Sequence, residues 1–139
     1  NVNMPYYAVS RITRSLNERG RAVQGAKVLL LGMAYKADVS DLRESPSLKL
    51  LELLRAAGAE VTYHDPHVPT LAAEGLTSVA LDAETLAAAD CVVIATAHLA
   101  IDLALVVQHA GLVVDLRNAV RHHLGGGVSG AIPANVDVL

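Results

Sequence analysis

Lys36, Arg43 and Arg117 are cations that stand at or just beyond the ends of apolar, strand-forming runs, in the company of Tyr35, His64, Asp65, His98 and Asn118. A lysine offers a point charge and an arginine a two-pronged donor, so cations sent from separate strands to one edge suit a phosphorylated ligand. Taken singly, each reads better as a solvated loop charge; a shared position is what gives the set meaning. Asp38, Asp41 and Glu44, interleaved with the first two cations, can do acid–base work or can pair with Lys36 and Arg43 to fix their loop.

Other candidates have plainer readings. Asp65 closes a strand where a ribose-binding acid would stand, or it shapes the Asp65-Pro66 turn. His64-x-x-His67 with Asp65 resembles a metal spacing but has no further ligands nearby, and Pro66 speaks for a turn. Cys91 falls inside an apolar run, as a small core residue does. His122-His123, beside Gly125-Gly126-Gly127, reads as a solvated pair.

The elements that must position these residues alternate along the chain. Asn3-Met4-Pro5 opens a helix in which Val9, Ile12 and Leu16 recur at helical spacing, ending near Gly20. Lys27 to Leu31 is a continuous apolar strand closed by Gly32, the pattern of a central parallel strand covered on both faces. Ser45-Pro46 starts the next helix, with Ser45 available to cap free N–H groups and Pro46 suited to the first helical position. A strand over Glu60 to Tyr63 follows. Thr70 to Gly75 reads as a short helix, Ser78 to Leu81 as a weak strand, and Asp82 to Ala89 as a helix capped by Asp82. Cys91 to Thr96 is a second apolar, β-branched strand, Ile101 to His109 a helix, and Gly111 to Asp115 another strand. The remainder is loop-like, with an edge strand possible over Asn135 to Leu139. Such alternation builds an α/β fold: a Rossmann-like, doubly wound parallel sheet of five or six strands with right-handed crossovers. Ligands then bind at the carboxyl ends of the strands. After Gly32, however, Ala34 and Ala37 stand where a G-x-G-x-x-G fingerprint has its second and third glycines, and the helix starts about eight residues too late for that motif.

A chain of 139 residues, 53% hydrophobic, is sized for one compact domain with a real core. A net charge of −3 without long basic runs argues against nucleic acid or an anionic membrane as partner, so any anion site is local. One cysteine excludes an internal disulfide and suits a reducing, cytoplasmic setting. No apolar run approaches the roughly 20 residues that span a bilayer. The chain opens on Asn1 rather than Met and runs straight into a helical pattern, which reads as a fragment.

The string from Gly32 to Pro46, of the form G-x-A-[YF]-K-x(6)-R-E-S-P, followed by Tyr63-His64-Asp65-Pro66 and then Asp115-Leu116-Arg117-Asn118, resembles the C-terminal domain of the UDP-glucose/GDP-mannose dehydrogenase family across nearly the whole chain. The Met-Pro entry, the Thr96-Ala97-His98 segment and the Arg117-Asn118 pair are most similar to the branch oxidising UDP-N-acetyl-glucosamine or UDP-N-acetyl-mannosamine. The resemblance implies that residues 1–25 are the end of a long interdomain linking helix and 26–139 a C-terminal UDP-sugar-binding domain. It further implies an NAD-dependent oxidation of the sugar C6 alcohol to a carboxylate by a homodimer, within polysaccharide biosynthesis. Lys36, Arg117 and Tyr35 would then contact the nucleotide-sugar, and Arg43 would reach the cofactor. NAD would be held mainly by an N-terminal domain that also supplies the catalytic cysteine and lysine, leaving no catalytic residue in this chain. The rival reading is a non-catalytic Rossmann-like domain that binds a nucleotide to regulate a partner. A phospho-receiver is disfavoured, since the first strand ends in Gly32 rather than an acidic pair.

Overall fold

A computed structural model describes residues 3–34, 45–124 and 132–139. The first helix, α1 (Met4–Glu18), leads to β1 (Lys27–Leu31), and α2 (Pro46–Ala56) to β2 (Glu60–His64). After β2 come β3 (Thr70–Leu71), a 3-10 turn (Ala72–Glu74) and β4 (Leu76–Thr77), then α3 (Ala83–Ala88) and β5 (Cys91–Ile94). The chain closes with α4 (Leu103–His109), β6 (Val113–Asp115), α5 (Ala119–Leu124) and β7 (Val136–Val138).

Among the described residues, five strands form one parallel sheet in the order β2-β1-β5-β6-β7. The alternation of a strand explains why β1 is apolar throughout. Val28 and Leu30 enter one core with α1 and α2, through Ile12, Leu16, Leu50, Leu51 and Leu54. Leu29 and Leu31 enter the other, with α3, α4 and α5, through Leu86, Val106 and Val120. By contrast β2 buries only Val61 and Tyr63, as an edge strand covered on one face does. The predicted edge strand at the carboxyl end is present as β7, and Arg11 of α1 and Arg19, just past its end, hold its Asp137 at 3.8 and 3.3 Å.

Local expectations were met where a side-chain cap or a long apolar run carried the signal. Asp82 accepts a hydrogen bond from the Thr85 N–H and starts α3. Four expectations fail. The segment after Pro69 is a two-residue hairpin, β3 with β4, around a single 3-10 turn rather than a helix, and Ser78 to Leu81 carries no strand. Two-residue strands are too short to show a period. The region read as loop after Asn118 begins with α5, whose start is set by Asp115. Ser45 precedes α2 but makes no side-chain cap; its hydroxyl turns back toward β1.

Candidate functional site

The site follows from strand order. From β1 the chain crosses to β2 on one side and returns to β5 on the other, which places the switch point between the carboxyl ends of β1 and β5. The ladder extends past the strands there: the N–H groups of Ala95 and Thr96 donate to the Leu31 carbonyl at 2.9 and 3.1 Å. Gly32 makes this closeness possible. Its φ is +88°, and a Cβ on it would stand 2.4 Å from the Thr96 carbonyl oxygen and 2.5 Å from the Thr96 Cβ.

Beyond Gly32, the dipeptide Met33-Ala34 has each of its backbone polar groups held by a side chain. Asp65 Oδ2 accepts from the Met33 N–H at 2.7 Å and the Ala34 N–H at 3.3 Å. The Ser45 hydroxyl donates to the Met33 carbonyl at 2.6 Å, and the Thr96 hydroxyl to the Ala34 carbonyl at 2.9 Å. The end of β2, the end of β5 and the start of α2 thus converge on the two residues immediately before Tyr35 and Lys36.

Asp65 is the hub of this arrangement. It is 1% exposed, and His98, 2% exposed, donates to its Oδ2 from Nε2 at 2.9 Å, while the His67 N–H donates to Oδ1 at 2.7 Å. Burial pushes the Asp65 carboxyl upward, but the hydrogen bonds from the Met33 and His67 amides and from His98 outweigh it and hold the group below the ordinary aspartate range. With both oxygens engaged inside the protein, Asp65 shapes its turn and the β1 exit, and is not open to a ribose. The His67 ring packs edge-on against His98 at 4.7 Å, and His64 Nδ1 lies 2.7 Å from the Val79 carbonyl oxygen. Among the described residues no cluster of three metal-ligating side chains forms, and His64 and His67 have these other partners. Cys91 is buried and its thiol pushed up to about 12 by burial, which suits a core residue rather than a nucleophile.

At the β6 exit, Asp115 accepts from the N–H groups of Arg117, Ala119 and Val120 at 2.9 to 3.1 Å. This turn sets Asn118 at φ +54° and leaves Arg117 exposed, its guanidinium without an ion-pair partner among the described residues. The buried Asn118 Oδ1 likewise has no hydrogen-bond partner in that set. Of the predicted site residues, Arg117 is therefore on the carboxyl rim of the sheet, as its strand position implies. Tyr35, Lys36 and Arg43 lie outside the described residues, as do Asp38, Asp41 and Glu44. Sequence reasoning did not find Thr96 and Ser45 as partners of the β1 exit, because nothing local to either residue signals a bond to a segment far away in the chain.

A cavity of about 540 Å³ opens at the other end of the sheet, between Lys27, Glu60, Thr62, Val79, Glu84 and Thr85. Two carboxylates against one ammonium make it a poor seat for an anion.

The strand order, the switch point and the rim of polar side chains define a Rossmann-like α/β domain with a candidate ligand site at the carboxyl edge. The chain belongs to the UDP-glucose/GDP-mannose dehydrogenase family: the family model for its UDP binding domain matches residues 29–122. It is 36% identical over 98 residues to the UDP-N-acetyl-D-mannosamine dehydrogenase of Methanococcus maripaludis, covering 70% of this chain and 22% of that protein. With the UDP-glucose 6-dehydrogenase of Rhizobium meliloti it shares 34% identity over 110 residues, 73% of this chain and 25% of that protein. In fold it is similar to the solved UDP-D-ManNAc dehydrogenase of Pyrococcus horikoshii, with a TM-score of 0.74 at 24% identity, covering 99% of this chain and 31% of that one. The chain thus spans no more than a quarter of the length of these curated relatives.

Proposed function

We propose that the chain is the nucleotide-sugar-binding domain of an NAD-dependent UDP-sugar 6-dehydrogenase, which oxidises the sugar C6 alcohol to a carboxylate. The observation that carries this reading is the family match over residues 29–122, which takes in the β1/β5 switch point and Arg117 together. In this reading residues 1–25 end an interdomain linking helix and 26–139 form the UDP-sugar domain. Lys36 and Arg117 neutralise the diphosphate or bond to ribose and base, Tyr35 lines the nucleotide pocket, and Arg43 reaches across a cleft toward the cofactor. No catalytic residue is assigned to this chain, and the whole enzyme works as a homodimer in the cytoplasm, supplying UDP-uronic acids for polysaccharides. Among the described residues no helix is long and apolar enough to cross a membrane.

The described residues do not fit NAD. The amides that follow the first strand in a dinucleotide fold face a pyrophosphate, and here those of Met33 and Ala34 are taken by the Asp65 carboxylate. This favours a cofactor site supplied elsewhere in the enzyme.

Thermal unfolding of the chain tests the assignment. UDP is expected to raise the midpoint more than NAD at equal concentration, and Lys36→Ala or Arg117→Ala to reduce the rise without abolishing it. Because Arg117 is exposed, its replacement should alter unliganded stability by less than about 0.5 kcal/mol. A response to NAD alone reverses the ligand assignment.

A further inference from the structure

We propose that Asp65 and His98 are positioning residues for the ligand site: they set the direction in which the chain leaves β1, two residues before Lys36. The inference rests on the reading of Lys36 as a ligand-binding cation. Its geometric basis is the pairing of a buried carboxylate with a buried imidazole, joined at 2.9 Å, on the two amides of Met33-Ala34. A turn closed only locally, such as that at Asp115, draws its bonds from the residues that follow it. Here the amides answer to the ends of β2 and β5 at once, and the carbonyls of the same dipeptide to Ser45 and Thr96. A segment held on all its polar groups by three separate parts of the fold has one orientation as far as Ala34. Preorganisation of that kind raises affinity by removing the ordering cost from the binding step. Arg117 leaves a different strand, its turn held by Asp115, and takes no part in this network.

The test is a set of double-mutant cycles in the full chain, with UDP as the probe and dissociation constants measured by calorimetry well below each variant's unfolding midpoint. His98→Ala removes the donor to Asp65, and the expected result is an affinity loss of about tenfold. His98→Gln, whose side-chain amide can donate from nearly the same place, is expected to recover affinity to within about twofold of wild type. The cycles separate positioning from general weakening. In a Lys36→Ala background His98→Ala should cost nothing further, whereas in an Arg117→Ala background it should cost its full amount. Equal losses in both backgrounds, or no loss in either, overturn the proposal. Failure of the wild-type chain to bind UDP instead overturns the functional reading on which it stands. Hydrogen exchange then decides whether the clamp exists: in Asp65→Asn the Met33 and Ala34 amides should lose protection while that of Leu30 keeps it, and a uniform loss counts against a local role.

Discussion

Asp65 and Asp115 are both buried carboxylates at strand exits, and each accepts hydrogen bonds from three backbone N–H groups. What differs is reach. The bonds of Asp115 run two to five residues forward, so it starts the helix that follows its own strand. Two bonds of Asp65 run 31 and 32 residues back, to the exit of the neighbouring strand, and a further one crosses to His98 at the end of β5. One aspartate finishes a local turn; the other ties three strand ends together. The rim of this sheet thus has a rigid side, at β1 and β5, and a side at β6 where an exposed arginine stands on a short, locally closed turn.

The comparison breaks hardest at Gly32. An alanine there combines a disfavoured positive φ with overlap against Thr96, and should destabilise the chain by about 3–4 kcal/mol in denaturant unfolding. Asp65→Ala comes next, at roughly 3 kcal/mol, because it strands the buried amides of Met33 and Ala34 along with His98. Asp115→Ala should cost roughly 1–2 kcal/mol, the range of a lost helix cap. Equal costs for the two aspartates would erase the distinction between them.

Acid sharpens the same contrast by a smaller amount. The folded Asp65 carboxyl titrates below its unfolded value of about 3.9, so the unfolded chain takes up the proton first as pH falls. The stabilisation from Asp65 is therefore complete at neutral pH and is lost as pH drops through the lowered folded value. Unfolding free energies between pH 5 and pH 3 should fall less steeply in Asp65→Asn than in wild type; parallel slopes would show that Asp65 is not the group responsible.

This difference in reach also explains what could be read from the amino-acid order. The apolar runs of β1 and β5, the helix after Ser45-Pro46 and the cap at Asp82 were legible because each signal lies within its own element. The helix α5 was hidden behind His122-His123 and the glycines that follow, although Asp115, four residues before Ala119, was a local sign of it. The hairpin of β3 and β4 is too short for any period. Ser45 shows the limit most clearly: its type and place promise a cap, yet its hydroxyl bonds to Met33, 12 residues back, because the fold brings that carbonyl within 2.6 Å. The candidate site was legible as a set of strand-end residues, and Arg117 stands on that rim. The network that holds the β1 exit was not, since Asp65, His98, Thr96 and Ser45 find their partners only through the sheet.

The most direct measurement is a UDP titration of the isotope-labelled chain followed by backbone amide shifts. The account predicts that the changes gather at Gly32 to Ala34, at Ala95 to His98 and at Leu116 to Asn118, the carboxyl ends of β1, β5 and β6. Changes centred instead on Lys27, Glu60 and Thr85, at the opposite end of the sheet, would contradict it.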